Sequence, residues 1–189
     1  STMSSDLCPA SSIDFTSNLQ TDNDADGCED ITEDDDDDND GYSDEVDDCQ
    51  FEIGTSSNGL KGCLDTDYDG YADSIDVFPS DISQWLDSDG DGYGDEKSGT
   101  QGDFCPTIFG TSTSDRIGCI DSDGDGWSDT DESWTVNFGG DAFPDEPSQH
   151  FDSDGDGFGN NPDGYQPDSC SSVFGTSFAD RFGCVDSDG

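Results

Sequence analysis

Basic residues are nearly absent from this chain. Lys and Arg number 4 against 49 Asp and Glu, for a formal charge of −45 over 189 residues. A surface that acidic repels phosphate backbones and anionic lipid, so nucleic acid and membrane surfaces are poor partners. Apolar residues are scarce too, at 28%, and no run approaches the ~20 residues of a membrane span, which argues against membrane insertion. A single His and the lack of any CxxC remove the usual zinc ligand sets. GxSxG, HExxH, P-loop and GxGxxG motifs are all missing, and His150 stands where a sister segment has Trp85, a packing or surface position. No enzyme chemistry is expected.

Few apolar residues and high net charge are the composition of a disordered tail, since too little surface can be buried to offset chain entropy. Two features oppose that reading: aromatics make up 11% of the residues, and the acids are phased. One phrase, Asp22-x-Asp24-x-Asp26-Gly27, returns from Asp36, Asp65, Asp87, Asp121 and Asp152, and is cut short at Asp186 and Asp188. Carboxylates at alternating positions before a turn-forming glycine converge oxygens on one point, which suits Ca²⁺, a hard cation that takes six to eight oxygens. Mg²⁺ keeps its waters and fits less well.

The roughly 12-residue calcium loop takes side-chain oxygens at positions 1, 3 and 5, a carbonyl at 7, a ligand at 9 and a carboxylate at 12. On that template the ligands are Asp22, Asp24, Asp26, Asp30 and Glu33, then Asp36, Asp38, Asp40, Asp44 and Asp47. Next come Asp65, Asp67, Asp69, Asp73 and Asp76, followed by Asp121, Asp123, Asp125, Asp129 and Glu132. Asp152, Asp154 and Asp156 pair with Asn160 and Asp163. The phrase Asp87, Asp89, Asp91 and Asp95 has Ser98 at position 12, so its last ligand must come from Glu96, water or a neighbouring segment. The flanks lack the 3.6-residue apolar period of EF-hand helices. Position 7 is aromatic in five loops (Tyr42, Tyr71, Tyr93, Trp127, Phe158), which suggests a small ring core for each unit.

Eight cysteines point to an oxidising compartment. Cys49 and Cys63, Cys105 and Cys119, and Cys170 and Cys184 share one spacing, so local pairing is expected, with Cys8 and Cys28 as the fourth pair. The segment Cys105 to Cys119 returns as Cys170 to Cys184, and Asp76-Val-Phe-Pro to Asp87 returns as Asp141-Ala-Phe-Pro to Asp152. This divides the chain into an N-terminal segment (1–21), acidic loops with the first disulfide loop (22–62), two calcium/disulfide cassettes (63–118 and 119–183) and the start of a further repeat (184–189). The second cassette carries an insertion around Glu132 to Gly140. The expected fold is irregular, with low regular secondary structure: an elongated array of calcium-binding loops with local disulfides, hairpins between cysteines, and short helical turns near Ser80 and Asp145.

Asp36-x-Asp-x-Asp40-Gly-x-x-Asp44-x-x-Asp47-x-Cys49 resembles the thrombospondin type 3 repeat, and the fuller cassette is similar to long secreted surface proteins of marine planktonic prokaryotes. The resemblance implies an extracellular calcium-binding module whose aspartate-rich turns wrap metal ions. The functional expectation is an extracellular or cell-surface spacer, stalk or fibre subunit, with calcium ions and other copies of itself as partners. The alternative is a calcium-stabilised stalk of a larger secreted enzyme or adhesin.

Overall fold

The computed structural model describes Cys8 and residues 16–186. Among these the only helix is one 3₁₀ turn, Val136–Phe138. Strand pairing is limited to isolated bridges: Asn58 with Tyr71, Asp129 with Asp141, and Gly159 with Pro167. The cause is local. Aspartate side chains capture the backbone N–H groups that a helix or sheet would use, a competition in which short acidic side chains are effective.

The segments near Ser80 and Asp145, expected as short helices, form reverse turns instead. The Gln84 N–H reaches the Asp81 carbonyl at 2.8 Å, and the Gln149 N–H reaches the Glu146 carbonyl at 2.9 Å. The intervening serines then turn their hydroxyls back, Ser83 to Asp81 and Ser148 to Glu146, both at 2.6 Å. No second helical turn follows.

The chain divides between Leu86 and Asp87 into two compact units, with three acidic loops in each. The interior is polar. Buried apolar residues among those described are Cys28, Cys63, Ala72, Cys119 and Cys184, while the largest fully buried side chains are Gln84, Gln149 and several aspartates. Rings pack locally, as expected for position 7: Tyr71 stacks on Trp85 at 5.1 Å and Trp127 on His150 at 4.6 Å. His150 and Trp85 thus do the same packing task in sister segments.

All four expected disulfides are present, Cys8–Cys28, Cys49–Cys63, Cys105–Cys119 and Cys170–Cys184, each with a Cα–Cα distance of 5.1 Å. Each 14-residue disulfide loop sits on the acidic loop before it, because the N–H groups of Gly54, Gly110 and Gly175 donate to Asp40, Asp91 and Asp156 at 3.0–3.1 Å. A Cβ on any of these three glycines would overlap the backbone of the second cysteine.

Candidate metal centre

Each acidic loop is folded by its own carboxylates. At position 1 one oxygen accepts the position 4 N–H and the other the glycine N–H at position 6. Asp87 does so at 2.7 and 2.9 Å, and Asp65, Asp121 and Asp152 do the same. At position 3, Oδ1 of Asp24, Asp38, Asp67, Asp89 and Asp123 accepts the N–H two residues on. At position 5, Oδ1 of Asp26, Asp40, Asp69, Asp91, Asp125 and Asp156 accepts the position 7 N–H at 2.8–3.0 Å. The second oxygens are left over. Oδ2 of Asp38, Asp67, Asp69, Asp89, Asp123 and Asp125, and both oxygens of Asp22 and Asp154, are buried without a hydrogen-bond partner. An unpaired buried carboxylate oxygen is costly, and such groups are normally satisfied by a partner or an ion. Asp22 with Asp24 and Asp26, Asp36 with Asp38 and Asp40, and Asp65 with Asp67 and Asp69 each place ligand atoms within 4.8 Å of one another, close enough to hold a metal ion.

Position 9 has a bracing task that the sequence template does not include. In four loops its side chain is engaged by residue 2: Thr66 donates N–H and O–H to Asp73 at 2.8 and 2.6 Å, Ser88 to Asp95 at 2.9 and 2.5 Å, and Ser122 to Asp129 at 3.0 and 2.6 Å. Asn160 is joined to Ser153 by two bonds as well, its Oδ1 accepting the Ser153 N–H and its amide donating to the Ser153 hydroxyl oxygen. Asp30 and Asp44 accept the N–H of Asn23 and Asp37. These side chains brace the loop.

Loop closure follows one rule that the 12-residue template misses. In every loop an aspartate N–H bonds the position 8 carbonyl: Asp34 to Glu29, Asp47 to Ser43, Asp76 to Ala72, Asp103 to Gly94, Asp141 to Ser128 and Asp168 to Gly159, at 2.8–3.2 Å. Oδ1 of that aspartate accepts the N–H two residues further on, at 2.6–3.0 Å. Oδ2 of Asp34, Asp76, Asp103, Asp141 and Asp168 is buried and unpartnered. Asp47 and Asp76 close their loops where the sequence placed them. Glu33, Glu132 and Asp163 are exposed, and Asp34, Asp141 and Asp168 take their places beside the other carboxylates. In the Asp87 loop Glu96 turns away to accept the Ser98 hydroxyl at 2.7 Å, and Asp103, 0% exposed, closes the loop. Asp186 stands at the end of the described residues, and Asp188 lies outside them.

Two sequence signals mark the missed aspartates. Asp103 and Asp168 share the Asp-x-Cys pattern with Asp47, and Asp141 already aligned with Asp76 across the cassettes. Position 8 is buried as Ala72, Gly94, Ser128 or Gly159, which accounts for its small side chains.

The crowding is visible in proton affinity. Burial, reinforced by Asp125, Asp123 and Asp129, pushes Asp141 up to about 7 from 3.8. Burial together with Asp91, Asp89 and Asp95 pushes Asp103 up to about 6. Burial and neighbouring carboxylates likewise raise Asp34, Asp76 and Asp168. By contrast, hydrogen bonds from Ser133 and Arg116 hold Asp131 well below the usual carboxylate range. Arg116 bonds Asp131 at 2.6 Å and lies over Trp134 at 5.3 Å, which ties the insertion of the second cassette to the disulfide loop at the end of the first.

Each site thus offers oxygen donors only, from an Asp-rich loop plus one closing aspartate. Cys28 falls in a cluster with Asp26 and Asp34, but its sulfur is committed to a disulfide. No family model matches the chain and no curated protein matches it in sequence, which leaves site geometry to carry the functional reading.

Proposed function

We propose that this protein is an extracellular calcium-binding structural repeat protein that serves as a spacer, stalk or fibre subunit, related in its loops to the thrombospondin type 3 repeat. The observation that carries this reading is the sixfold recurrence of a closing aspartate on the position 8 carbonyl, in five loops with Oδ2 buried and unpartnered. A purely structural network would hydrogen-bond both oxygens.

Calcium supplies the positive charge that lets these carboxylates share one site. The chain's residues do the rest: the hydrogen-bonded carboxylate oxygens shape the backbone, the unpartnered oxygens, such as Oδ2 of Asp67, Asp89 and Asp123 and of five closing aspartates, remain for the ion, and position 9 braces the loop. An all-oxygen, carboxylate-rich set favours Ca²⁺ over softer metals. Four disulfides and the calcium requirement fit the outside of a cell, where both conditions meet. The polar interior fits a role built from local units, with no catalytic activity.

Elemental analysis of the folded chain after dialysis against Ca²⁺ tests this. At least six ions per chain are expected. Asp141→Ala should remove one ion and Glu132→Ala none. Fewer than about four ions, or loss with Glu132→Ala alone, would overturn the assignment.

A further inference from the structure

The Asp36 loop breaks a rule that four of the other five loops keep, the Asp22 loop having Asn23 at that place. Where those four place Thr66, Ser88, Ser122 and Ser153 at position 2, it has Asp37. The Asp37 N–H still donates to Asp44 Oδ1 at 3.0 Å. The second bond of the brace, hydroxyl to carboxylate, has no permanent donor here: Asp37 and Asp44 can make it only by sharing a proton. Asp37 is nevertheless 5% exposed, and its Oδ1 is buried without a partner. It also faces two further acids. Ligand atoms of Asp30, Asp34 and Asp37 lie within 4.8 Å of one another, and Asp34 Oδ2 is buried and unpartnered as well.

Four carboxylates, Asp30, Asp34, Asp37 and Asp44, therefore meet at the junction of the first two loops. Nothing in the loop pattern requires this, since a serine at position 37 would brace Asp44 as in the sister loops. Asp37 is buried and the other three are half-buried, and anions crowded in this way are unfavourable unless a cation joins them.

We propose that Asp30, Asp34 and Asp37 form a further divalent-cation site, separate from the six loop sites, that ties the first loop to the second. Asp34 belongs to both this group and the cluster of the first loop, so its carboxylate bridges two ions. Asp44 stands by as an outer acceptor. The site takes a hard cation of the calcium class, because every donor is a carboxylate oxygen. The shared ion links the two loops, helped by the Asn39 amide that donates to Asp24 at 2.6 Å.

This rests on the reading of the loops as calcium sites, and ion counting separates the two. Native mass spectrometry of the full chain in Ca²⁺ should show seven ions, and Asp37→Ser, which restores the sister loops' brace, should show six. Asp30→Asn, which keeps an acceptor for the Asn23 N–H, should also show six. If wild type and Asp37→Ser both hold six, the further site is absent and the loop sites stand. If the wild type holds none, both readings fall. Should Asp37→Ser disturb its own loop and drop below six, Asp30→Asn decides: six ions support the site, and seven refute it.

Discussion

A single glycine shows how tightly the closing aspartates are held. Gly62, Gly118 and Gly183 precede the second cysteine of their disulfide loops, and each has positive φ, +77° at Gly118. A Cβ on Gly118 would overlap the carboxylate of Asp103. Gly118→Ala should therefore cost the strain of a left-handed non-glycine residue plus a displaced ligand, roughly 1–3 kcal/mol, and should lower the ion count by one. Gly90 is the control: its φ is similar, at +81°, but nothing lies within 4 Å of its missing Cβ. Gly90→Ala should cost only the backbone term and keep every ion. Thermal unfolding in Ca²⁺ with parallel metal analysis reads both effects, and equal losses in the two variants would detach Gly118 from the site.

At the scale of the loop, the sequence shows which residues begin a site better than which residue ends it. The clustering of positions 1, 3 and 5 was legible because their carboxylates are placed by local turns, each accepting an N–H a few residues ahead. The last ligand is set by where the chain returns to the position 8 carbonyl, and loops of different length can meet that condition. Hence Asp141 closes its loop after an insertion, and Asp103 and Asp168 close theirs after longer excursions, while a fixed count of residues points to Glu132, Ser98 and Asp163. The disulfides were readable because their spacing repeats. The position 9 brace was not, since it depends on a hydroxyl at position 2 that resembles ordinary polar filler. Deleting residues 132–140 tests this account. It would place Asp141 at the spacing that Asp76 has from Asp65, so the shortened loop should keep its ion with unchanged affinity while losing the contact of Trp134 with Arg116. Loss of the ion on deletion would show that the insertion, with its 3₁₀ turn, is part of the site.

For the whole molecule, acidity and scarcity of apolar surface predict a fold conditional on bound charge. Asp37 and Asp141 are pushed up to about 7, and Asp38 and Asp103 to about 6, by burial first and by neighbouring carboxylates second, against 3.8 ordinarily. Without a cation, the native state thus holds protons that the unfolded chain has already released between pH about 4 and about 7. Stability then falls as pH rises through that window. Under the proposed calcium binding the sign should reverse, because the ion needs the ionised carboxylates and protons compete with it. Small-angle scattering across pH 4.5–7.5 checks both signs in one experiment. In chelator the radius of gyration should be largest near neutrality and shrink on acidification. In saturating Ca²⁺ it should be smallest at neutrality and grow as acid displaces the ions. The calcium-loaded value also bears on the spacer role, since a compact chain of this length would have a radius near 16 Å. The spacer reading expects a clearly larger value, as for repeats that contact mainly their neighbours. A loaded radius near 16 Å would count against a spacer, and a chain that swells identically on neutralisation with and without calcium would show that the clustered carboxylates do not hold the ion.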